Sequence, residues 1–290
     1  MPTDIVPADF SADTAMKNQL EPIRRADGSY LEPALNLLSW PFLKRCGIGL
    51  LIAAFLAVSV WLAEVDLYRL GAGLPRMFRW AAQAWPPYVK EFDIMLLRAA
   101  ETVAIATVGT TVATLFAFPI CILVSRNMTP SPLVAYPMRW FINCFRGIDT
   151  VVFAILFVAA VGLGPFAGVL GMIIHSTGVI AKLNSEAIET VPNAPLEAAA
   201  MTGANRRKIV GYALLPSVLP SLASVSLYVW EANVRTSTIL GIVGAGGIGI
   251  EIKAAIDLLD FPRLFTLTVI VLVMVTIIDQ FSAWLRRKLV

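Results

Sequence analysis

A few charged and hydrogen-bonding side chains stand inside otherwise uncharged stretches of this chain. Their types and spacing limit the chemistry open to it. Glu231 and Arg235 are four residues apart, the separation that puts two side chains on one helix face, where they can pair. Arg146, His175, Ser176 and Thr177 could line an anion path together with that pair, because a guanidinium is a fixed charge whose fork matches phosphate-type oxygens. A plainer reading makes Glu231–Arg235 an ion pair near the outer interface and His175 a helix-packing residue. Lys182 and Glu186 are also four apart and read as a solvated pair at the inner face. Asp279 pairs with Arg286 or reaches the interface, and has no assigned role. His175 is the single histidine, so no His-rich metal site can be assembled. Cys46, Cys121 and Cys144 form no C-x-x-C and read as inert small hydrophobes.

The stretch Val191–Lys208, VPNAPLEAAAMTGANRRK, is the most informative. Pro192 and Pro195 suit the start of a helix, where a missing N–H costs nothing. Glu197 is expected in the first turn, where a carboxylate favours the positive end of the dipole. Ala198, Ala199 and Ala200 are strong helix formers without bulk, and Gly203 ends or kinks the helix. Such a short, small-surfaced helix fits a groove on a cytosolic partner; the alternative is a surface hairpin. The run Gly244-Ala245-Gly246-Gly247-Ile248-Gly249 matches G-x-G-x-x-G. A dinucleotide fold needs a strand before it and a βαβ unit around it, and here it lies between two apolar helices. It reads as a glycine-rich bend at the outer face, with Gly244, Gly246 and Gly247 placed to gate an exit or touch a docking protein. Pro216 and Pro220 remove backbone donors inside an apolar run and bend it, as a static kink or as part of a moving one. No G-x-x-x-x-G-K-[ST] occurs, so the chain has no such device for cradling ATP phosphates.

The elements that must position these residues follow from composition. Of 290 residues, 58% are hydrophobic and 15% charged, and mean hydropathy is +0.75. Soluble domains carry about 45–50% apolar and about 25% charged residues, so the solvent for this chain is lipid. An ordinary soluble enzyme, a disordered chain and a disulfide-stapled domain are excluded, and a net charge of +3 does not argue for nucleic acid. About 20 apolar residues cross a bilayer as helix. Charge-free runs cover Cys46–Ala63, Thr102–Ser125, Thr150–Ala181 and Ile209–Trp230, and Leu264–Trp284 is broken only by Asp279. Gly162-Leu163-Gly164-Pro165 splits the longest, giving spans near Pro137–Val161 and Phe166–Ile188 and an all-α polytopic protein of six spans. Residues 1–43 read as a cytosolic tail, not a signal peptide, with a short surface helix near Pro33–Trp40. Residues 44–64 form the first span, 65–95 an outer loop with a segment lying in the interface (Trp80, Trp85, Tyr88), and 96–290 the core. With both termini inside, inner pieces hold 14 of the 23 lysines and arginines and outer pieces 8, the expected bias.

Glu197-Ala198-Ala199 followed by Gly203 resembles the EAA loop of ABC-importer permeases, and Leu215-Pro216 continues that pattern while Ala213 replaces its isoleucine. Trp230–Arg235 with Ile239–Gly249, and Val158–Leu170 followed by His175, are similar to the phosphonate-importer permeases and overlap with methionine and betaine permeases. Arg146-Gly147-Ile148-Asp149-Thr150-Val151 keeps the arginine of a family R-x-I-P-E-L pattern but replaces its proline and glutamate. The resemblance covers residues 95–285. It implies a MetI-like type I importer permease fold and a homodimer in the bacterial cytoplasmic membrane. It implies a cytosolic ATPase dimer that seats Glu197–Gly203 and itself binds ATP and magnesium, leaving this chain without a cofactor. It also implies an extracytoplasmic binding protein that delivers a phosphonate, phosphate or phosphite. Methionine or a quaternary amine is the rival cargo, less suited to the arginines because a cation prefers carboxylates or aromatic cages. A self-contained secondary transporter or channel is the alternative of another class. A membrane enzyme lacks a nucleophile–base pattern here.

Overall fold

The computed structural model describes residues 40–128 and 132–289. The expected tail and its surface helix therefore lie outside the described residues, apart from their last few positions. Helix α1, Trp40–Leu62, already begins within residues assigned to the tail.

The chain divides after Gly73 into two units. In the first, α1 buries none of the apolar residues of its membrane-spanning window. At 23 residues it is about 35 Å long, enough to cross a hydrocarbon core of about 30 Å. Asp66 then starts α2, Leu67–Gln83, by accepting from the Tyr68 and Arg69 backbone N–H groups at 2.9 and 3.0 Å. At 3.6 residues per turn, Leu70, Leu74, Met77 and Phe78 share one side of α2 and Arg69, Arg76 and Arg79 the other. The stretch read as an outer loop is thus largely an amphipathic helix.

The second unit holds α3 (Phe92–Val124), α4 (Pro132–Gly147), α5 (Thr150–Val161), α6 (Pro165–Glu189), α7 (Asn193–Met201), α8 (Arg206–Ile209), α9 (Leu215–Ile242), α10 (Ile248–Asp257) and α11 (Phe261–Leu289). A π-helical segment, Val210–Leu214, joins α8 to α9. Counting α1, five helical stretches are long and apolar enough to cross a membrane, and the pair α4–α5 supplies a sixth, bent by 85°. The continuous span expected over Pro137–Val161 is therefore corrected. Its break has a local cause: the Asp149 side chain accepts from Val151 N–H at 2.9 Å and caps α5, which starts a new helix three residues after Gly147. In lipid every freed backbone group needs a partner. The Ile148 carbonyl finds one in His175, whose Nδ1–H donates to it at 2.8 Å.

Helix α6 packs against α3, α4, α5 and α9, and it does so on small residues. A Cβ on Gly171 would lie 2.7 Å from the Ala154 nitrogen of α5, and one on Gly178 would lie 2.8 Å from the Arg146 nitrogen of α4. Close backbone approach of this kind is how helices associate where lipid removes the hydrophobic drive between them. Along α3, Ala106, Gly109, Ala113 and Ala117 form the complementary small surface, all buried.

Candidate functional site

At one end of the second unit, Leu196 is the buried residue of α7 among its described side chains. It is buried against Cys121, Met128, Ile188, Leu214, Val218 and Leu222. The neighbouring Glu197, Ala198, Ala200 and Met201 are exposed, Met201 by 89%, as is Tyr212 by 85%. Pro192 is the residue before the helix and Asn193 its first. Glu197 therefore lies in the second turn, not the first, and the dipole argument for its position does not apply. Thr202 caps the far end and Gly203 leaves it at φ +77°, with its N–H bonded to the Ala200 carbonyl at 3.0 Å. That left-handed exit is the usual glycine helix stop. The result is a narrow ridge of small side chains facing outward, flanked by the exposed Arg206, Arg207 and Lys208.

The charged residues of α9 are not an isolated pair. Arg286 on α11 donates to Glu231 Oε2 at 2.9 Å, while Arg235 reaches Glu231 Oε1 at 3.5 Å and Asp279 Oδ1 at 3.9 Å. Glu231 is 15% exposed and Arg235 60%. The partners expected for Arg286 and Asp279 are exchanged: Arg286 takes Glu231, and Asp279 faces Arg235. An ion pair standing by itself near the outer interface is replaced by a four-residue cluster that reaches Arg286, close to the basic end of α11. Arg146 is exposed at the end of α4, beside the bend that His175 supports. Ser176 is fully buried and lines no open space within this chain. It accepts from Asn233 Nδ2 at 2.8 Å, and Thr110 accepts from the same nitrogen at 2.8 Å. One buried amide thus ties α3, α6 and α9 together.

At the other end, residues 245–249 are buried. Gly244, Gly246 and Gly247 have φ of +87°, +88° and +77°, a region open to glycine without strain. Gly164 N–H bonds to the Gly244 carbonyl at 2.9 Å, and Ile248 N–H to Thr102 Oγ1 at 2.8 Å. The expected bend is present, and it is packed backbone against backbone. Pro216 follows the π-helical turn and Pro220 lies inside α9. A π-turn is a recognised cause of a helix bend, and here it precedes both prolines.

Residues that sequence reasoning passed over are those whose partners lie far along the chain. Asn233 sat inside a quoted motif without a role. Arg139 and Glu189 carry no role in the sequence reading. Arg98, Glu251, Arg263 and Glu91 form an ion network at the glycine end, with Arg263 at 2.8 Å from Glu251 and 3.1 Å from Glu91. The usable signal was a polar residue inside an apolar run, or opposite charges at facing ends of spans. Among the described residues, no group of three or more His, Cys, Asp or Glu could hold a metal ion.

A model of the family described as "Binding-protein-dependent transport system inner membrane component" matches residues 117–290. The chain is 46% identical over 238 residues to the putative phosphite transport system permease protein HtxC of Stutzerimonas stutzeri, covering 82% of this chain and 84% of that one. It is 41% identical over 206 residues to the phosphate-import permease protein PhnE of Mycolicibacterium smegmatis, covering 71% of this chain and 39% of the relative. Among solved structures, an inward-facing conformation of the MetNI methionine ABC transporter matches with a TM-score of 0.61 at 21% identity, over 70% of this chain and 100% of the matched chain. At that identity the likeness is one of fold.

Proposed function

This chain belongs to the binding-protein-dependent transport system inner membrane components, and from that premise we propose that two copies of it enclose a path for phosphorus oxyanions, driven by a cytosolic ATPase dimer docked on α7. It is a multi-span permease subunit of an ABC import system in the inner membrane. The oxyanion cargo is supported by relatives named for phosphite and phosphate transport and by the arginines at the α4–α5 bend and on α9. ATP and magnesium belong to the ATPase partner, and cargo arrives from an extracytoplasmic binding protein. In this reading α7, both termini and the basic end of α11 face the cytosol.

The observation that carries the proposal is the form of α7: one buried leucine beneath, alanines and Met201 above, and a glycine stop. A helix so lightly held and so small in section suits insertion into a groove on another protein. Hydrolysis at the partner moves α7, and α6 and α9 leave the same packed end, so the charged residues along α9 alternate between the two sides. Pro216, Pro220 and the π-turn supply a place for α9 to bend.

Ala200→Trp tests the docking. Ala200 is exposed, so the larger side chain leaves the fold intact and blocks the groove. The expected result is normal membrane insertion, loss of copurification with the ATPase subunit and loss of uptake. Unchanged copurification refutes the docking role. Cargo is tested by uptake of radiolabelled phosphite and phosphate. Competition by unlabelled phosphonate supports the oxyanion class, and competition by methionine alone overturns it. A cysteine in place of Met201, labelled with an impermeant maleimide, should react in inverted vesicles and stay unreacted in intact cells.

A further inference from the structure

The packed end beneath α7 contains an ion contact that the roles given above do not use. Val124 is the last residue of α3, and its carbonyl has no helical partner of its own. Arg139 of α4 fills it twice, donating from Nη2 at 2.7 Å and from Nε at 3.1 Å. The same guanidinium stands 3.9 Å from Glu189 Oε1, on the last residue of α6. That oxygen also accepts from the Arg126 backbone N–H at 2.8 Å, and the Glu189 carbonyl accepts from Asn127 Nδ2 at 3.4 Å. The ends of α3 and α6 and the middle of α4 therefore meet on two side chains.

The chain between Glu189 and α7 is short and internally bonded. Thr190 N–H returns to the Glu186 carbonyl at 3.2 Å, Thr190 Oγ1 to Ala187 at 2.8 Å, and Val191 N–H to Ile188 at 3.3 Å. Met128, just beyond Arg126, shares a buried cluster with Leu196 of α7. A displacement of α7 thus reaches Glu189 without slack, and from Glu189 it reaches the end of α3 and the middle of α4.

We propose that Arg139 and Glu189 form a strap that passes movement of α7 to α3 and α4, and through α4 to the bend beside Arg146. The inference rests on α7 being the helix that the ATPase moves. The two residues are positioning residues: they touch neither cargo nor nucleotide. Their role is to make ATP turnover and the opening of the path one event.

The test uses the complete transporter in proteoliposomes, with its ATPase and binding protein. It reads cargo imported per ATP hydrolysed. Glu189→Gln keeps an oxygen for Arg126 N–H and removes the charge facing Arg139. Arg139→Gln removes the fork on Val124. Networks of this kind carry about 0.5–2 kcal/mol of coupling, so import per ATP should fall about 2- to 30-fold in each variant while ATPase copurification is kept. The double variant should fall no further than the worse single, since both remove one connection. Arg139→Lys keeps charge without the planar fork; it should recover part of the ratio, and it serves as the test if either glutamine variant fails to assemble. An unchanged import-to-hydrolysis ratio in assembled Glu189→Gln and Arg139→Lys overturns the strap. If Ala200→Trp leaves ATPase binding intact, the docking reading fails, and that outcome is distinct from failure of the strap.

Discussion

Gly178→Ala adds one methyl group at a tight contact between α6 and the end of α4. Its Cβ would lie 2.8 Å from the Arg146 nitrogen, 2.9 Å from Phe145 Cβ and 3.1 Å from the Ile142 carbonyl oxygen. Two of these are backbone atoms of a helix, so no flexible side chain can give way. Ordinary contact begins at 3.4 Å, and α6 must therefore move off α4 by about 0.6 Å, an overpacking that costs about 1–3 kcal/mol. His175 lies one turn back on α6, and its bond to the Ile148 carbonyl, now 2.8 Å, would lengthen by a similar amount to the edge of hydrogen bonding. The bend would lose that cross-helix support. Gly211→Ala is the matched control, because nothing lies within 4 Å of a Cβ there. It should leave stability unchanged or raise it by up to ~1 kcal/mol. The assay is thermal loss of the monodisperse protein in detergent, followed by uptake in vesicles. Gly178→Ala should melt earlier and transport less than wild type while still binding the ATPase subunit through α7. Equal melting of Gly178→Ala, Gly211→Ala and wild type would refute the claim that this contact sets the bend.

Other outcomes are expected from the same assays. Asn233→Ala removes two interhelical bonds worth about 0.6 kcal/mol each on average and up to ~1.7, so unfolding should ease by about 1–3 kcal/mol; a melting temperature equal to wild type would dismiss the buried amide as a tie. Gly203→Ala and Gly247→Ala both place alanine at φ +77°, a backbone region that costs a residue with a Cβ about 1–3 kcal/mol. Only Gly247 also meets Thr102 Oγ1, so its variant should be the less stable of the two, and the reverse order in melting would contradict the packing described. Glu231→Ala leaves Arg286 and Arg235 without their shared carboxylate. Because those arginines keep 28% and 60% exposure, the loss should be about 1–3 kcal/mol, below that of a fully buried pair, and Glu231→Gln should recover part of it. Asp149→Ala should cost about 1 kcal/mol as a lost helix cap, read as increased protease sensitivity near the bend.

Most spans were legible because a bilayer imposes length and apolarity on each segment separately, whereas the small-residue packing between them emerged only from the structure. Gly162–Pro165 and Gly244–Gly249 could be placed as breaks for the same reason: glycine and proline act on their own neighbourhood. The EAA stretch was readable as a short helix with a glycine stop. What stayed hidden depends on groups brought together from distant positions. A run of apolar residues does not say whether a helix is straight, so the break at Ile148 escaped notice, although Asp149 as a cap was its local signal. Glu231 could be paired with Arg235 from spacing, whereas Arg286, 55 positions away, could be placed only by the packing of α11 on α9. Ser176 looked like a lining residue because its type is polar; its direction toward Asn233 is a fact of helix rotation.

The buried glycine turn also bears on how far things move. With Gly241 held so closely that a Cβ there would meet the Gly246 carbonyl and the Gly249 backbone at 2.6 Å, a swing of α9 driven through α7 would have its fulcrum at that end. Glu231 is ten residues away and Leu215 twenty-six, about 15 and 39 Å along the axis. A swing that shifts the carboxylate by a given distance therefore sweeps the opposite tip more than two and a half times as far. A wide stroke applied at that tip arrives at the ionic cluster as a short, forceful one, a gearing suited to separating paired charges that a loose strand could not part.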